Sequence, residues 1–132
     1  IIRRTFTMPK ITYTTAKGLH QATGNGIFLN TIGTAVAAAG TDESDATALS
    51  TDGSVIPVTG ATNATGVILP AGTVGQTLWV VNTVSNKTLK VYPASGEKIN
   101  NGTATTGDIS IAAGKSGMFV YHSAAYGWAN MT

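Results

Sequence analysis

Four stretches decide the fold: Thr77-Leu78-Trp79-Val80-Val81-Asn82, Lys87-Thr88-Leu89-Lys90-Val91-Tyr92, Ile109-Ser110-Ile111 and Met118-Phe119-Val120-Tyr121-His122. The continuous apolar run of the first predicts a central strand covered on both faces. In the second and third, apolar and polar residues alternate, Leu89 and Val91 to one side and Thr88 and Lys90 to the other, as in a half-exposed antiparallel strand. The fourth is a dense strand, followed by a turn at Ser123-Ala124-Ala125 and a last strand from Tyr126 to Met131. Upstream, Gly26-Ile27-Phe28-Leu29, Ser54-Val55-Ile56-Pro57-Val58 and Val67-Ile68-Leu69 read as further short strands bounded by turn formers. The spacing predicts an all-β protein: an antiparallel β-sandwich, jelly-roll-like, with an extended N-terminal arm.

Composition agrees. Of the 132 residues, 22 are Thr, 18 Ala and 16 Gly, a mix of small and β-branched residues that favours strands and turns over long helices. Between Thr34 and Thr65 these residues dominate, and a helix over Ala35–Ala39 would be bracketed by Gly33 and Gly40, too short to be stable alone. The division expected is therefore an arm over 1–41, a loop-rich connector over 42–59 and a sandwich module over 60–132. Within the module, Leu69-Pro70-Ala71-Gly72-Thr73-Val74-Gly75 and Ile111-Ala112-Ala113-Gly114-Lys115-Ser116-Gly117 share one pattern, in which a strand ends, a glycine turn reverses the chain and a core strand returns. Two copies are too few for a solenoid, so a pseudo-symmetric sandwich is expected.

With no Cys, disulfides, thiolate metal sites and cysteine nucleophiles are excluded. No run approaches the roughly 18 apolar residues of a membrane-spanning helix, which predicts a soluble protein. The opening Ile1-Ile2-Arg3-Arg4-Thr5 has neither an initiator Met nor a secretory apolar run, so an export signal is not expected.

Charge is uneven. The net charge of +2 divides into +4 before Asp42, from Arg3, Arg4, Lys10 and Lys17 with no acid, and −2 from Asp42 onward. Such an asymmetry marks an arm suited to an acidic surface, or a merely solubilising set of cations. Thr5-Phe6-Thr7-Met8 and Ile11-Thr12-Tyr13-Thr14 alternate in a way that suits pairing with an exposed strand edge.

Few residues form a pattern suited to catalysis or ligand binding. Gly114-Lys115-Ser116 lacks the earlier glycine of a phosphate loop, since position 109 is Ile, and a strand follows it rather than a helix. No G-x-S-x-G occurs, and His20, read as a surface-loop residue, and His122, at a strand end, have no evident orienting acid. Asp42, Glu43 and Asp45 lie in the connector, a poor platform for two-carboxylate chemistry, and lack the spacing of an EF-hand calcium site. Basic residues are few and not interleaved with aromatics, which argues against nucleic-acid binding. Trp79 reads as core. Tyr126 and Trp128 fall on one face of the last strand and serve either as a platform on which a sugar stacks or as the lid of the sandwich.

From about residue 60 onward the chain resembles a β-module of tailed-bacteriophage virion proteins: head decoration (cement) proteins, head fibres and tail fibres. The resemblance is carried by Gly66-Val67-Ile68-Leu69-Pro70-Ala71-Gly72, Leu78-Trp79-Val80-Val81-Asn82, Leu89-Lys90-Val91-Tyr92-Pro93-Ala94-Ser95-Gly96, Ile99-Asn100, and Phe119-Val120-Tyr121 with Trp128. Tyr-Pro-Ala-Ser-Gly followed by Ile-Asn is its most specific part. It implies a non-enzymatic structural component of the virion, usually a homotrimer, with no cofactor or metal. The expected function is that of a decoration protein on the capsid exterior. There it would bind the major capsid protein through Arg3, Arg4, Lys10 and Lys17 and stabilise the head, with no nucleic-acid or membrane partner. Short strands without disulfides and with few edge charges are expected to leave edges for a partner to cover. A head or tail fibre segment is the alternative within the resemblance, and a carbohydrate-binding module taking a host glycan on Tyr126 and Trp128 is the alternative outside it.

Overall fold

In a computed structural model of the chain, residues 11–14, 18–21 and 30–131 are described. Among them there is no helix. An N-terminal hairpin pairs β1 (Ile11–Thr14) with β2 (Gly18–Gln21) in antiparallel register, Ile11 opposite Gln21 and Thr14 opposite Gly18. The alternation over Ile11–Thr14 therefore marks a strand, and its partner belongs to the same chain. His20, expected in a loop, lies in β2 opposite Thr12.

The other strands build a two-layer sandwich. They are β3 (Val36–Ala37), β4 (Thr47–Ala48), β5 (Val55–Thr59), β6 (Gly66–Ile68), β7 (Thr77–Asn82), β8 (Leu89–Tyr92), β9 (Ile109–Ile111), β10 (Ser116–Ser123) and β11 (Gly127–Met131). One sheet has the order β11-β10-β7-β5-β3 and the other β4-β6-β8-β9. β7 is central, as its sequence predicts.

Both sheets are mixed, where the sequence suggested antiparallel pairing throughout. β3, β5 and β7 run parallel to one another, as do β4, β6 and β8. The reason is the path of the chain. From β3 to β8 it changes sheet after every strand, so a strand meets its neighbour only after a crossing through the opposite sheet. Parallel pairing needs a connection of that length. Val55 stands beside Trp79 and Val67 beside Val91, both 24 positions apart in sequence. The first part of the sandwich is therefore a coil with a turn of 20 to 24 residues, 22 between β3 and β5, 20 between β4 and β6 and 24 in the two pairs that follow, closed by antiparallel β9, β10 and β11. The two copies of the glycine-turn pattern are the crossings from the four-stranded to the five-stranded sheet, β6 to β7 and β9 to β10.

β4 and β5 pair with β6 and β7, strands on the far side of position 60, so residues 42–59, read as a connector, are built into the sandwich. Val36-Ala37 pairs with β5, and two residues later Ala39 exchanges backbone hydrogen bonds with Gly66 of the other sheet. This short segment closes one side of the sandwich. β3 meets β5 only at Val58 and Thr59, and a separate bridge joins Ile32 to Val55. Pro57, with no N–H to offer a ladder, occupies the gap between them.

The core lies between the sheets. Ile56, Val58, Leu78, Val80, Phe119 and Trp128 meet Val67, Leu69, Leu89, Val91 and Ile111 there. β7 alternates strictly, Leu78, Val80 and Asn82 buried and Thr77, Trp79 and Val81 only half-buried. This corrects the expectation that β7 is covered on both faces and that Trp79 is core: the second sheet covers one side only.

Candidate functional site

Part of the set that carries the resemblance, Gly72, the Tyr92–Gly96 segment, Ile99-Asn100, Tyr121 and Trp128, converges at one end of the sandwich. Glu97, just beyond the Tyr92–Gly96 segment, extends one carboxylate oxygen to the backbone N–H of Gly72 at 2.8 Å and the other to the indole N–H of Trp128 at 3.1 Å. Trp128 is wholly buried and meets Tyr121 edge to face, ring centres 5.3 Å apart. Burial, and then the Glu97 carboxylate, push the Tyr121 phenol above its ordinary value. Gly72 lies flat against Tyr121, where any Cβ would overlap the ring. One carboxylate thus joins the Pro-Ala-Gly turn after β6 to the aromatic pair of β10 and β11.

Ile99-Asn100 completes the arrangement by sealing the edge of β11. Trp128 N–H donates to Lys98 O at 2.9 Å, Asn100 N–H to Trp128 O at 2.8 Å, and Asn130 N–H to the Asn100 side chain at 2.8 Å. Asn100 and Asn101 both take positive φ, 53° and 55°, a conformation that Asn tolerates better than most residues. β11 starts at Gly127, with φ of 81° and the same Lys98 carbonyl where a Cβ would stand. At this end, then, the edge expected to await a partner is covered by the protein's own loop.

This geometry separates the two proposed sugar-platform residues. Trp128 faces the core and offers no surface for stacking, which corrects its reading as half of a platform and leaves it as the lid. Tyr126 lies in the turn before β11, at the surface, tilted against His122 with ring centres 5.2 Å apart. His122 is exposed, and its Nδ1 is 3.1 Å from the hydroxyl of the adjacent Ser123. Arg3, Arg4, Lys10 and Lys17, the proposed attachment residues, lie outside the described residues.

Gly114-Lys115-Ser116 leads into strand β10. It lines a shallow open depression of about 350 Å³ with Ser110, Ile111, Ala112 and Gly117. Among the described residues no three His, Cys, Asp or Glu side chains gather as a metal site, and no helix is long and apolar enough to cross a membrane. Asp42 and Asp45 are engaged in a local turn, and Asp52 ties its own segment to Thr34. Asp42 accepts from the backbone and hydroxyl of Ser44, Asp45 from the N–H groups of Thr41 and Asp42, and Asp52 from the backbone and hydroxyl of Thr34. The Ser44 hydroxyl for Asp42 and the Thr34 hydroxyl for Asp52 are the main reason both carboxyls titrate below the ordinary range.

A feature that the sequence reading missed is the outer face of the five-stranded sheet. Strand register places Ile32, Val55, Trp79, Met118 and Met131 in one row across it. Pro57, Val81 and Ser116 form the row on one side, and Thr77, Val120 and Ala129 the row on the other. Ile32 and Met131, at the two ends of the central row, are 69% and 56% exposed. None of these eleven residues is charged. The period-two alternation of β5, β7 and β10 was the available signal, masked because apolar residues occupy both phases.

No known protein family matches the chain, and no curated protein matches it.

Proposed function

We propose that this protein is a structural component of a tailed-bacteriophage virion, a decoration (cement) protein that binds the outer capsid surface as a homotrimer and stabilises the head. The observation that carries the reading is the convergence around Glu97. Of the segments through which the chain resembles virion β-modules, Leu69–Gly72, Tyr92–Gly96, Ile99-Asn100 and Trp128 are dispersed in sequence yet joined in one cluster, while Leu78–Asn82 and Leu89–Val91 supply core strands beside it. A motif set that forms one structural unit is a stronger sign of a shared module than the same residues scattered over the fold. In this reading the protein is not an enzyme and takes no cofactor.

Attachment in this reading belongs to the arm, with Arg3, Arg4, Lys10 and Lys17 against acidic groups of the major capsid protein and the sandwich projecting outward. The test uses full-length protein added to undecorated particles. Co-sedimentation in hundreds of copies per particle supports decoration; tens of copies would assign it to a head or tail fibre instead. Replacing the four cations with Gln should weaken binding and flatten its salt dependence, because ionic strength screens surface pairs. Failure of the parent protein to co-sediment at any salt concentration would refute the capsid assignment.

A further inference from the structure

We infer that the outer face of the five-stranded sheet is a docking surface for a second copy of this chain. The inference deepens the self-association contained in the proposed function and rests on that reading. Three observations support it. First, the central row sets Trp79 and Met118 side by side between apolar residues, with Val81 and Val120 in the flanking rows. Trp and Met are enriched, and charge is depleted, where protein surfaces meet one another.

Second, the face is uncharged, whereas charged groups are spread over the rest of the sandwich, Lys90 and Asp108 on the other sheet among them. A face without charge can meet its own copy with no like-charge repulsion. It offers no acid to the four cations of the arm, so the chain's own arm gains no ion pair by lying there. Third, the β11 edge is sealed by Lys98–Asn101, which leaves the face, rather than that edge, as the surface for association.

Extent sets the strength. Eleven same-face positions, each covering about 4.8 by 6.7 Å of sheet, make a patch of roughly 350 Å². This footprint, which includes the polar Thr77 and Ser116, is comparable in extent to the largest apolar patch on many monomers, often a functional one. Two such patches fall short of a standard stable interface of about 1,600 Å², so the contact is weak and reversible and is strengthened where copies are crowded.

The experiment is sedimentation of the full-length protein over a wide concentration range, read together with tryptophan emission. Trp128 is buried in the core and Trp79 lies on the face, so dilution should red-shift emission in the parent and not in Trp79→Phe. Met118→Lys and, at an already exposed site, Met131→Lys should weaken association at least tenfold with unchanged near-ultraviolet dichroism. Ser95→Lys, on a turn away from the face, should leave it unaltered. Added salt should not weaken the contact. Should Met118→Lys fail to fold, Met131→Lys decides alone.

Association that persists undiminished in Met131→Lys would overturn the inference. So would a monomer at every concentration, including one in which Trp79 is shielded from iodide by the chain's own arm. Particle binding is scored separately: a parent that decorates capsids without associating in solution sinks the docking face and spares the capsid reading, and one that associates without decorating does the reverse.

Discussion

Glu97 and Trp128 are joined by a hydrogen bond of 3.1 Å from the indole N–H to the carboxylate, and the other oxygen of the same carboxylate holds the Gly72 N–H at 2.8 Å. The turn after β6, the loop after β8 and strand β11 are thereby joined by one acid. Its place is fixed by the Tyr92-Pro93-Ala94-Ser95-Gly96 turn, in which Gly96 takes φ of 81° and its N–H is held by the Thr105 hydroxyl at 2.8 Å.

Glu97→Ala should therefore cost about 2–4 kcal/mol, since it strands a wholly buried indole N–H and a partly buried backbone N–H, each worth roughly 1–3 kcal/mol when left unpaired. Glu97→Gln should be milder, because one amide oxygen still accepts from one of the two donors. Urea unfolding followed by fluorescence measures both. An alanine variant as stable as the parent would show that water replaces the carboxylate at no cost.

Asn82 does for the two sheets what Glu97 does for the loops. It is the buried polar side chain among the described residues, and its amide group lies within donating distance of the carbonyls of Lys87, Ile111 and Ala112 at 2.7–3.3 Å while its oxygen accepts from Val84 N–H at 3.2 Å. Asn82→Asp keeps the shape and replaces the donor by a carboxylate oxygen facing carbonyls. It should lose more stability than Asn82→Ala, roughly 3–5 kcal/mol against 2–3 kcal/mol. The order of the two denaturation midpoints is the measurement, and the reverse order would contradict the network.

The fold class was legible because the strongest strands have short-range signatures. Leu89-Lys90-Val91 shows the alternation of its burial directly, and Thr77–Asn82 begins and ends where its apolar run does. The coil was not legible: it pairs Val55 with Trp79 and Val58 with Asn82, partners related by position in the sheet rather than by identity. The strands between Val36 and Ala48 escaped for another reason. Each is two residues long, and their pairing rests on backbone hydrogen bonds to β5 and β6 that Ala and Thr make without any apolar pattern. Of the site, the Gly72, Tyr121 and Trp128 elements were visible as resemblance, while the role of Glu97 depends on a contact across 31 positions.

The two tryptophans should respond differently to truncation. Trp128→Ala removes a fully buried indole from between the sheets and should cost about 3–5 kcal/mol, enough to unfold a domain of ordinary stability. Trp79→Ala, on the half-exposed outer face, should cost about 1–2 kcal/mol in the monomer by lost area and act mainly on association. Thermal melts at low and high protein concentration separate the effects. Equal losses at both concentrations would make Trp79 a purely structural residue.

Acid should loosen the start of the sandwich before the rest. Asp52 accepts from Thr34 N–H at 2.9 Å and from its hydroxyl, which holds the segment leading into β3 beside the turn leading into β5, where Gly33 and Gly53 approach too closely for any side chain. The Thr34 hydroxyl first, and the Thr34 backbone second, depress the Asp52 carboxyl below its ordinary 3.8. A depressed native value means that the unfolded chain binds the proton more readily, so the stabilisation is fully present above 3.8 and is lost as pH falls through the native value. Asp42, lowered chiefly by the Ser44 hydroxyl, adds a contribution of the same sign. Hydrogen exchange at Thr34 and Ser54 should therefore accelerate, relative to core amides such as Val80, only once the pH drops below the ordinary carboxylate range. Asp52→Asn should abolish that relative acceleration and shift the exchange of Thr34 toward the acid-state rate at neutral pH. If the amides of Thr34 and Val80 instead lose protection together in the parent, the carboxylate is not what holds this segment.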